Sequence, residues 1–468
     1  VGFPLPLKPQ KKQGISFVID ALCLNSAMKR IFLIGAGRSS SHLIRYLIEH
    51  ASAENWSLRV GDVDLKSAEL KIGGSSSASA FTLDASDKDL RRAEISQSDL
   101  VISMLPANLH VEVAKDCIEF GKPVITPSYV AEEMWPLNKE AGERGVLMLN
   151  EMGVDPGIDH MSAMRIIDRI RSEGGVIDHF ESYTGGLVAP ESDDNPWHYK
   201  ITWNPRNVVL AGSGGTARFK QSGELKFIPY SQLFERIARI DVPEFGTFEG
   251  YANRDSLQYA GVYGLNDIST LLRGTLRKAG FCPAWNALIQ IGLTDDSFFI
   301  EMPRKLTWRD LTAAFSTGSK GPTLEANLTK RFGWSSETLQ KLVWLGIFEE
   351  QPLGIEQGSP ALALQKRIEE KWKLGELDKD LLVMWHYFGF VQNGQPRTMT
   401  SWLTTIGEGP VYTAMSRTVG IPIAIAAKHI LRGNWNLSGI HLPVIPTIYN
   451  PVLDELETFG VTFKESYN

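Results

Sequence analysis

The sequence predicts an α/β fold: a doubly wound parallel sheet, a second α+β domain and an inserted helical domain. Three observations predict it. Between Met28 and Gly153, near-continuous apolar runs alternate with amphipathic helical stretches, as in a parallel sheet covered on both faces. The first run, Arg30-Ile31-Phe32-Leu33-Ile34, ends on Gly35-Ala36-Gly37-Arg38-Ser39-Ser40 and feeds a helical pattern with Leu43, Ile44 and Leu47. The second run, Ser57 to Asp64, ends in acids. Strand, glycine turn, helix and acid-tipped strand together open a Rossmann-type dinucleotide-binding domain. Its glycines let the backbone approach a pyrophosphate, and the helix N-terminus supplies amide donors.

Taken in order, Gly35, Gly37, Arg38, Ser39 and Ser40 are cofactor candidates, with Ser40 where the fingerprint usually carries its third glycine. Asp62 stands at the strand tip, about 25 residues after the glycines, where a carboxylate meets the ribose hydroxyls. It favours NAD; Arg38, beside the turn, leaves NADP open. Asp64 reads as a helix cap. Further strands are predicted at Ala80–Asp84, Asp99–Pro106, Pro123–Thr126 and Val146–Asn150. Helices run around Leu90, through His110, Val113 and Cys117, and up to Gly145. Ligands of such sheets lie beyond the carboxyl ends of the strands. Asp84, Ala85, Met104 and Leu105 therefore join the cofactor set, and Ser128 and Tyr129 face either ligand.

Composition bounds the reading. The chain has 468 residues, 43% hydrophobic, enough for two or three domains. A net charge of -6 gives no nucleic-acid footprint. Cys23, Cys117 and Cys282 show neither metal-ligand spacing nor a paired framework, so no metal is expected and a reducing, cytoplasmic compartment is. No apolar run is long enough to span a membrane. Residues 1–27 combine lysines with an apolar run that Asp20 interrupts, and read as an extension outside the fold.

The second informative stretch is Asn150-Glu151-Met152-Gly153-Val154-Asp155-Pro156-Gly157-Ile158-Asp159-His160. Asp155 precedes a proline and is held extended. Pro156 suits the first turn of a helix through Met164, Ile167 and Ile170, which makes Asp155 either its cap or a working group at the domain junction. The glycine-rich, proline-fixed turn favours the working group, with Val154 and Pro156 at the cofactor's edge. His160 reads as a packed side chain. Strands at His179–Tyr183, Lys200–Trp203, Arg218–Lys220 and Phe248–Tyr251 build a mostly antiparallel sheet, followed by a helix at Phe281–Ile291. Residues 301–397 have helical spacing and read as the inserted helical domain. Thr413–Leu431 is a tightly packed helix, so 154–300 and about 398–431 form the second domain.

These residues carry a family resemblance. The Asn150–His160 stretch resembles the strand-to-helix element of glutamate-forming saccharopine dehydrogenases, the saccharopine reductases. So do Ser182-Tyr183-Thr184-Gly185-Gly186-Leu187, Pro190 to Pro196, Asn253-Arg254-Asp255-Ser256, Arg273-Gly274-Thr275-Leu276-Arg277 and Ser416-Arg417-Thr418-Val419-Gly420-Ile421-Pro422. The resemblance runs from Met28 to the last residue. It implies that about 432–468 return to the first domain, and that the enzyme interconverts saccharopine with glutamate and aminoadipate semialdehyde in lysine metabolism using a nicotinamide cofactor.

Saccharopine carries three carboxylates and two amines. Carboxylates call for arginine forks, so Arg254 and Arg277 are the expected clamps. Thr275 and Leu276 would add backbone groups beside Arg277. The resemblance places Ser128, Tyr129 and Asp155 at the substrate, with Asp155 and Tyr129 as catalytic candidates for proton handling. Two departures stand out. Fungal members resemble enzymes with a cysteine where this chain has Thr184, and with an arginine at the second strand end where it has Asp62. A carboxynorspermidine-type dehydrogenase and a non-catalytic nicotinamide-binding regulatory protein are the alternatives. The expected partner is a small-molecule amino-acid substrate, with no nucleic acid or membrane. A homodimer is an admissible assembly.

Overall fold

The computed structural model describes residues 27–213, 215–301, 303–316 and 323–468; Cys23 and the expected extension up to residue 26 lie outside the described residues. The chain opens with β1 (Lys29–Ile34), α1 (Ser41–Glu54), β2 (Trp56–Asp62), α2 (Leu65–Ile72), β3 (Ala78–Thr82), α3 (Lys88–Ser96), β4 (Leu100–Ser103), α4 (His110–Phe120), β5 (Val124–Ile125), α5 (Asn138–Glu143) and β6 (Leu147–Leu149). Their apolar runs pair in parallel, in the order β3-β2-β1-β4-β5-β6. This is the doubly wound order, and its direction reverses at the β1–β4 crevice. Asp64 caps α2 by accepting from the Ser67 amide, as its position predicts.

The second domain follows with α6 (Ile158–Ser172), β7 (Val176–Val188), α7 (Pro205–Val209), β8 (Ala217–Gln221), β9 (Glu224–Ile228), β10 (Ile237–Val242), β11 (Gly246–Ala252), α8 (Tyr259–Val262) and β12 (Thr270–Lys278). Then come α9 (Phe281–Ile291), α10 (Trp308–Ala314), α11 (Leu324–Phe332), α12 (Ser336–Leu345), α13 (Pro360–Lys371), β13 (Asp380–Gln392), β14 (Gln395–Ile406), α14 (Ala414–Leu431), β15 (Gly439–His441), α15 (Pro446–Glu457) and β16 (Phe463–Tyr467). The second sheet runs β10-β11-β12-β7-β13-β14-β16, with β8 and β9 attached beside β12. Only the β12–β7 pair in it is parallel.

One face of this sheet shares a core with α6, α14, α15 and the first domain; Phe180, Met384, Ile167 and Ala424 are fully buried in it. The other face is covered by α9 to α13, through Trp285, Leu342 and Trp372. Gly420 of α14 sits where an added Cβ would lie 2.8 Å from the Leu43 amide nitrogen of α1, so glycine is what allows the two domains' helices to touch.

Three expectations are corrected. Lys200–Trp203 forms no strand, although Ile201 is buried; its amide instead donates to the Trp372 carbonyl. The helical stretch ends at Lys371, because β13 and β14 form a long hairpin closed by Asn393 and Gly394, both at positive φ, in the turn that Asn-Gly favours. The chain end serves both domains: β15 extends the first sheet beside β6, whereas β16 pairs with β14 in the second.

Candidate active site

The glycine turn fits a dinucleotide. Gly35 has φ +99°, and a Cβ there would lie 3.0 Å from the Met104 carbonyl, so the turn itself requires glycine. At Gly37 a Cβ would meet nothing of the protein, which leaves room for a ligand at the start of the helical turn. Helix-start amides point out of the turn without an intrahelical acceptor, which suits a pyrophosphate. Asp62 accepts from the Ala36 amide at 2.5 Å and the Asp64 amide at 2.7 Å, so it shapes the turn from the strand tip where the ribose would lie.

Other cofactor candidates are turned to local work. The Ser40 hydroxyl donates to the Gly37 carbonyl at 2.8 Å, because the missing third glycine leaves a side chain that fits back under the turn. Arg38 reaches across the domain gap to the Ile201 carbonyl at 3.3 Å instead of waiting at a phosphate. Asp84 closes its own turn on the Ser86 amide and hydroxyl. Ala85 is buried and its carbonyl accepts from Arg91. Leu105 packs on the first-domain core.

Between the domains lies a cavity of about 820 Å³. Ser39, Ser128, Tyr129, Val154, Asp155 and Pro156 line it from the first domain and the junction, and Arg254, Thr275 and Arg277 from the second. Most of the substrate candidates therefore converge. Leu276 does not: its side chain is buried in the second core, and its carbonyl already accepts from Arg277 at 2.8 Å. That follows from β12, where Arg273, Thr275 and Arg277 alternate onto one face and Leu276 onto the other.

Asp155 is not the helix cap. Gly157 takes that position, Asp159 accepts from the Gly157 amide at 2.6 Å, and Pro156 precedes the helix rather than starting it. This frees the Asp155 carboxylate, whose Oδ1 accepts from the Tyr129 hydroxyl at 2.9 Å and from Arg273 at 2.8 Å. Burial and the neighbouring Asp159 charge push its carboxyl above the usual range. Burial likewise raises the Tyr129 hydroxyl well above the usual phenol range. Asp159 moves the other way: burial opposes ionisation, but His160 and Arg273 outweigh it.

Arg273 is the residue that sequence reasoning missed. It is 5% exposed and holds both Asp155 and Asp159 at 2.8 and 2.5 Å, with the Tyr259 ring 4.3 Å beneath its guanidinium. Its place on the same strand face as Arg277 was the available signal. Behind it His160, buried as expected, bridges Tyr263 at 2.6 Å and Glu151 at 2.8 Å. His110 was missed as well. It joins Ser103 at the end of β4 to Ser128 in the cavity, at 2.9 and 2.8 Å, and burial lowers it to about 4, so it works as a neutral ring.

Arg277 is 3% exposed and packs among Tyr199, Tyr251 and Phe281. Among the described residues no carboxylate pairs with it or with Arg254, and its Nε has no hydrogen-bond partner. A buried cation without a counter-ion is costly, so a carboxylate brought by a ligand is the natural complement. The Thr184 hydroxyl, also lining the cavity, is likewise without a partner among the described residues. No cluster of three His, Cys, Asp or Glu side chains there could hold a metal, and no helix there is long and apolar enough to cross a membrane.

A doubly wound dinucleotide domain facing a mixed-sheet domain across a cleft that carries Asp155, Arg254 and Arg277 is the architecture of a nicotinamide-dependent oxidoreductase. The sequence profile of the saccharopine dehydrogenase NADP binding domain matches residues 31–149, and that of the saccharopine dehydrogenase C-terminal domain matches residues 153–461. The saccharopine dehydrogenase [NADP(+), L-glutamate-forming] of Schizosaccharomyces pombe is 33% identical over 451 residues, 94% of this chain and 99% of that one. The mitochondrial alpha-aminoadipic semialdehyde synthase of Bos taurus is 32% identical over 443 residues, 93% of this chain; the chain spans about half of that relative's length, 47%. An apo saccharopine dehydrogenase (L-Glu forming) from Saccharomyces cerevisiae superposes with a TM-score of 0.84 at 30% identity, covering 94% of this chain and all of that one. The chain belongs to the saccharopine dehydrogenase family.

Proposed function

We propose that the protein interconverts saccharopine with glutamate and aminoadipate semialdehyde. The observation that carries this reading is Arg277: a buried cation on the cavity wall, without a carboxylate partner among the described residues, beside a second unpaired arginine at Arg254. A substrate with several carboxylates answers both. A bound nicotinamide dinucleotide supplies the hydride acceptor or donor.

The chain's own residues do the rest. Arg254 and Arg277 anchor the carboxylates and orient the secondary amine towards the first domain. Asp155 accepts Tyr129 and Arg273 on one oxygen and keeps the other for the cavity, where its raised carboxyl exchanges a proton with the amine. The Tyr129 hydroxyl, kept protonated by burial, donates to Asp155 and accepts from Arg273 at 3.3 Å. Loss of hydride from the carbon on that amine leaves an imine, which water splits into glutamate and aminoadipate semialdehyde. The test follows nicotinamide absorbance with saccharopine as substrate. Turnover supports the reading, and none, with cofactor binding intact, overturns it.

For the cofactor we infer NAD(H) ahead of NADP(H), although the matching profile is named for NADP. Asp62 puts a carboxylate where a 2′-phosphate would need a cation, and Arg38 is engaged with Ile201. The ratio of kcat/KM for the two cofactors decides it, and a ratio favouring NADP would reverse the inference. Two buried free thiols, Cys117 and Cys282, support a reducing compartment such as the cytoplasm.

A further inference from the structure

Lys71, in the last turn of α2, takes no part in the reading above, yet it sits directly behind the glycine turn. Its ammonium donates to the Ala36 carbonyl at 2.5 Å, to the Gly37 carbonyl, and to the Ser40 hydroxyl at 3.1 Å. All three of its donors are thus spent on this one turn. In a trans peptide the N–H points opposite to the C=O. The Ala36 carbonyl shares its peptide plane with the Gly37 amide, and the Gly37 carbonyl shares its plane with the Arg38 amide. Two carbonyls drawn back towards Lys71 therefore send the Gly37 and Arg38 amides forward, into the space that Gly37 leaves open.

We propose that Lys71 is a positioning residue of the dinucleotide site, turning the Gly37 and Arg38 amides onto the cofactor's pyrophosphate without touching it. This rests on the dinucleotide reading of the first domain and deepens it. Asp62, from β2, is the acid that faces the ammonium and holds the front of the same turn through the Ala36 amide. Cation and carboxylate thereby grip the turn from two sides, Lys71 by its carbonyls and Asp62 by an amide. Burial lowers the ammonium to about 8, so the grip loosens as pH rises through that value.

The experiment titrates the apoprotein, by fluorescence or calorimetry, with NADH, NADPH and ADP-ribose, which share the adenosine, the pyrophosphate and the ribose beyond it, while ADP-ribose lacks the nicotinamide and NADPH adds a 2′-phosphate. Lys71→Met should weaken all three by about tenfold, the scale of one lost charge-assisted hydrogen bond. The wild-type affinity should fall above pH 8 and the variant's should not. Lys71→Arg, which keeps charge and donors, should recover most of the loss. Loss confined to NADPH would overturn the proposal in favour of direct contact with the 2′-phosphate, and a Lys71→Met variant that keeps wild-type affinity for all three would overturn it outright. Lys71→Gln serves the same comparison if the methionine variant does not fold. Wild-type protein that binds none of the three would overturn the dinucleotide reading itself, a result the variants cannot imitate.

Discussion

Arg273 and Arg277 stand four residues apart on one strand, on the same face, both almost fully buried, and they are treated in opposite ways. Arg273 is surrounded by charge: Asp155, Asp159 and the Tyr129 hydroxyl all meet one guanidinium nitrogen. Arg277 is surrounded by aromatic rings and finds only a backbone carbonyl. The first spends its charge on the fold and on setting Asp155. The second keeps its charge for whatever enters the cavity. Two identical residues in one motif therefore divide between holding the site together and facing the cavity uncompensated, and the division lies in their neighbours.

The sharpest way to break this contrast is to remove each arginine in turn. Arg273→Met leaves Asp155 and Asp159 buried without their cation, and should cost roughly 3–5 kcal/mol of stability, read by denaturant unfolding. Arg277→Met removes a cation with no internal partner, so stability should hold while saccharopine KM rises by about 10- to 150-fold, the equivalent of roughly 1.5–3 kcal/mol. Equal losses of stability in the two variants would erase the distinction.

Asp155→Asn tests the setting role. Asparagine can still accept Tyr129 and Arg273 on its oxygen, so unfolding should change little, whereas turnover should fall on the order of 10²-fold if the proton is lost. Because burial and Asp159 raise the Asp155 carboxyl, its proton persists to higher pH than on an ordinary carboxylate. The wild-type acid limb of kcat/KM should accordingly lie above the usual value of about 3.9, and the variant should lack that limb. The smallest effect is expected at Arg254→Ala, whose side chain is less enclosed than Arg277. Its KM shift should be the lesser of the two; a larger shift would make Arg254 the principal clamp.

Much of this was legible in the sequence. The glycine turn, the acid at Asp62 and the alternating strands and helices are local signals, and the parallel sheet follows from them. Asp155, Tyr129, Arg254 and Arg277 were readable as a set and do line one cavity. What escaped was long-range. Asp155 could be read as a cap or as a working group, and spacing alone does not reveal that Gly157 takes the cap position and Asp159 serves it. Arg273 escaped because its partners lie 114 and 118 residues away along the chain. The β13–β14 hairpin was hidden for another reason. Leu381-Leu382-Val383-Met384 is buried on both faces, so it loses the alternation that marks a strand, although Asn393-Gly394 announced the turn.

The placement of the last two strands reaches beyond the site. β15 borders the first sheet and β16 borders the second, so the final thirty or so positions finish both domains, one after the other. During synthesis, the first sheet cannot reach its full width until residue 441 has been made, nor the second until residue 467. A nascent chain halted at α14 would hold a cleft with both outer edges bare, and hydrogen-bonding edges of that kind recruit other strands. The two halves of the cleft are therefore completed late and in turn, by β15 and then by β16.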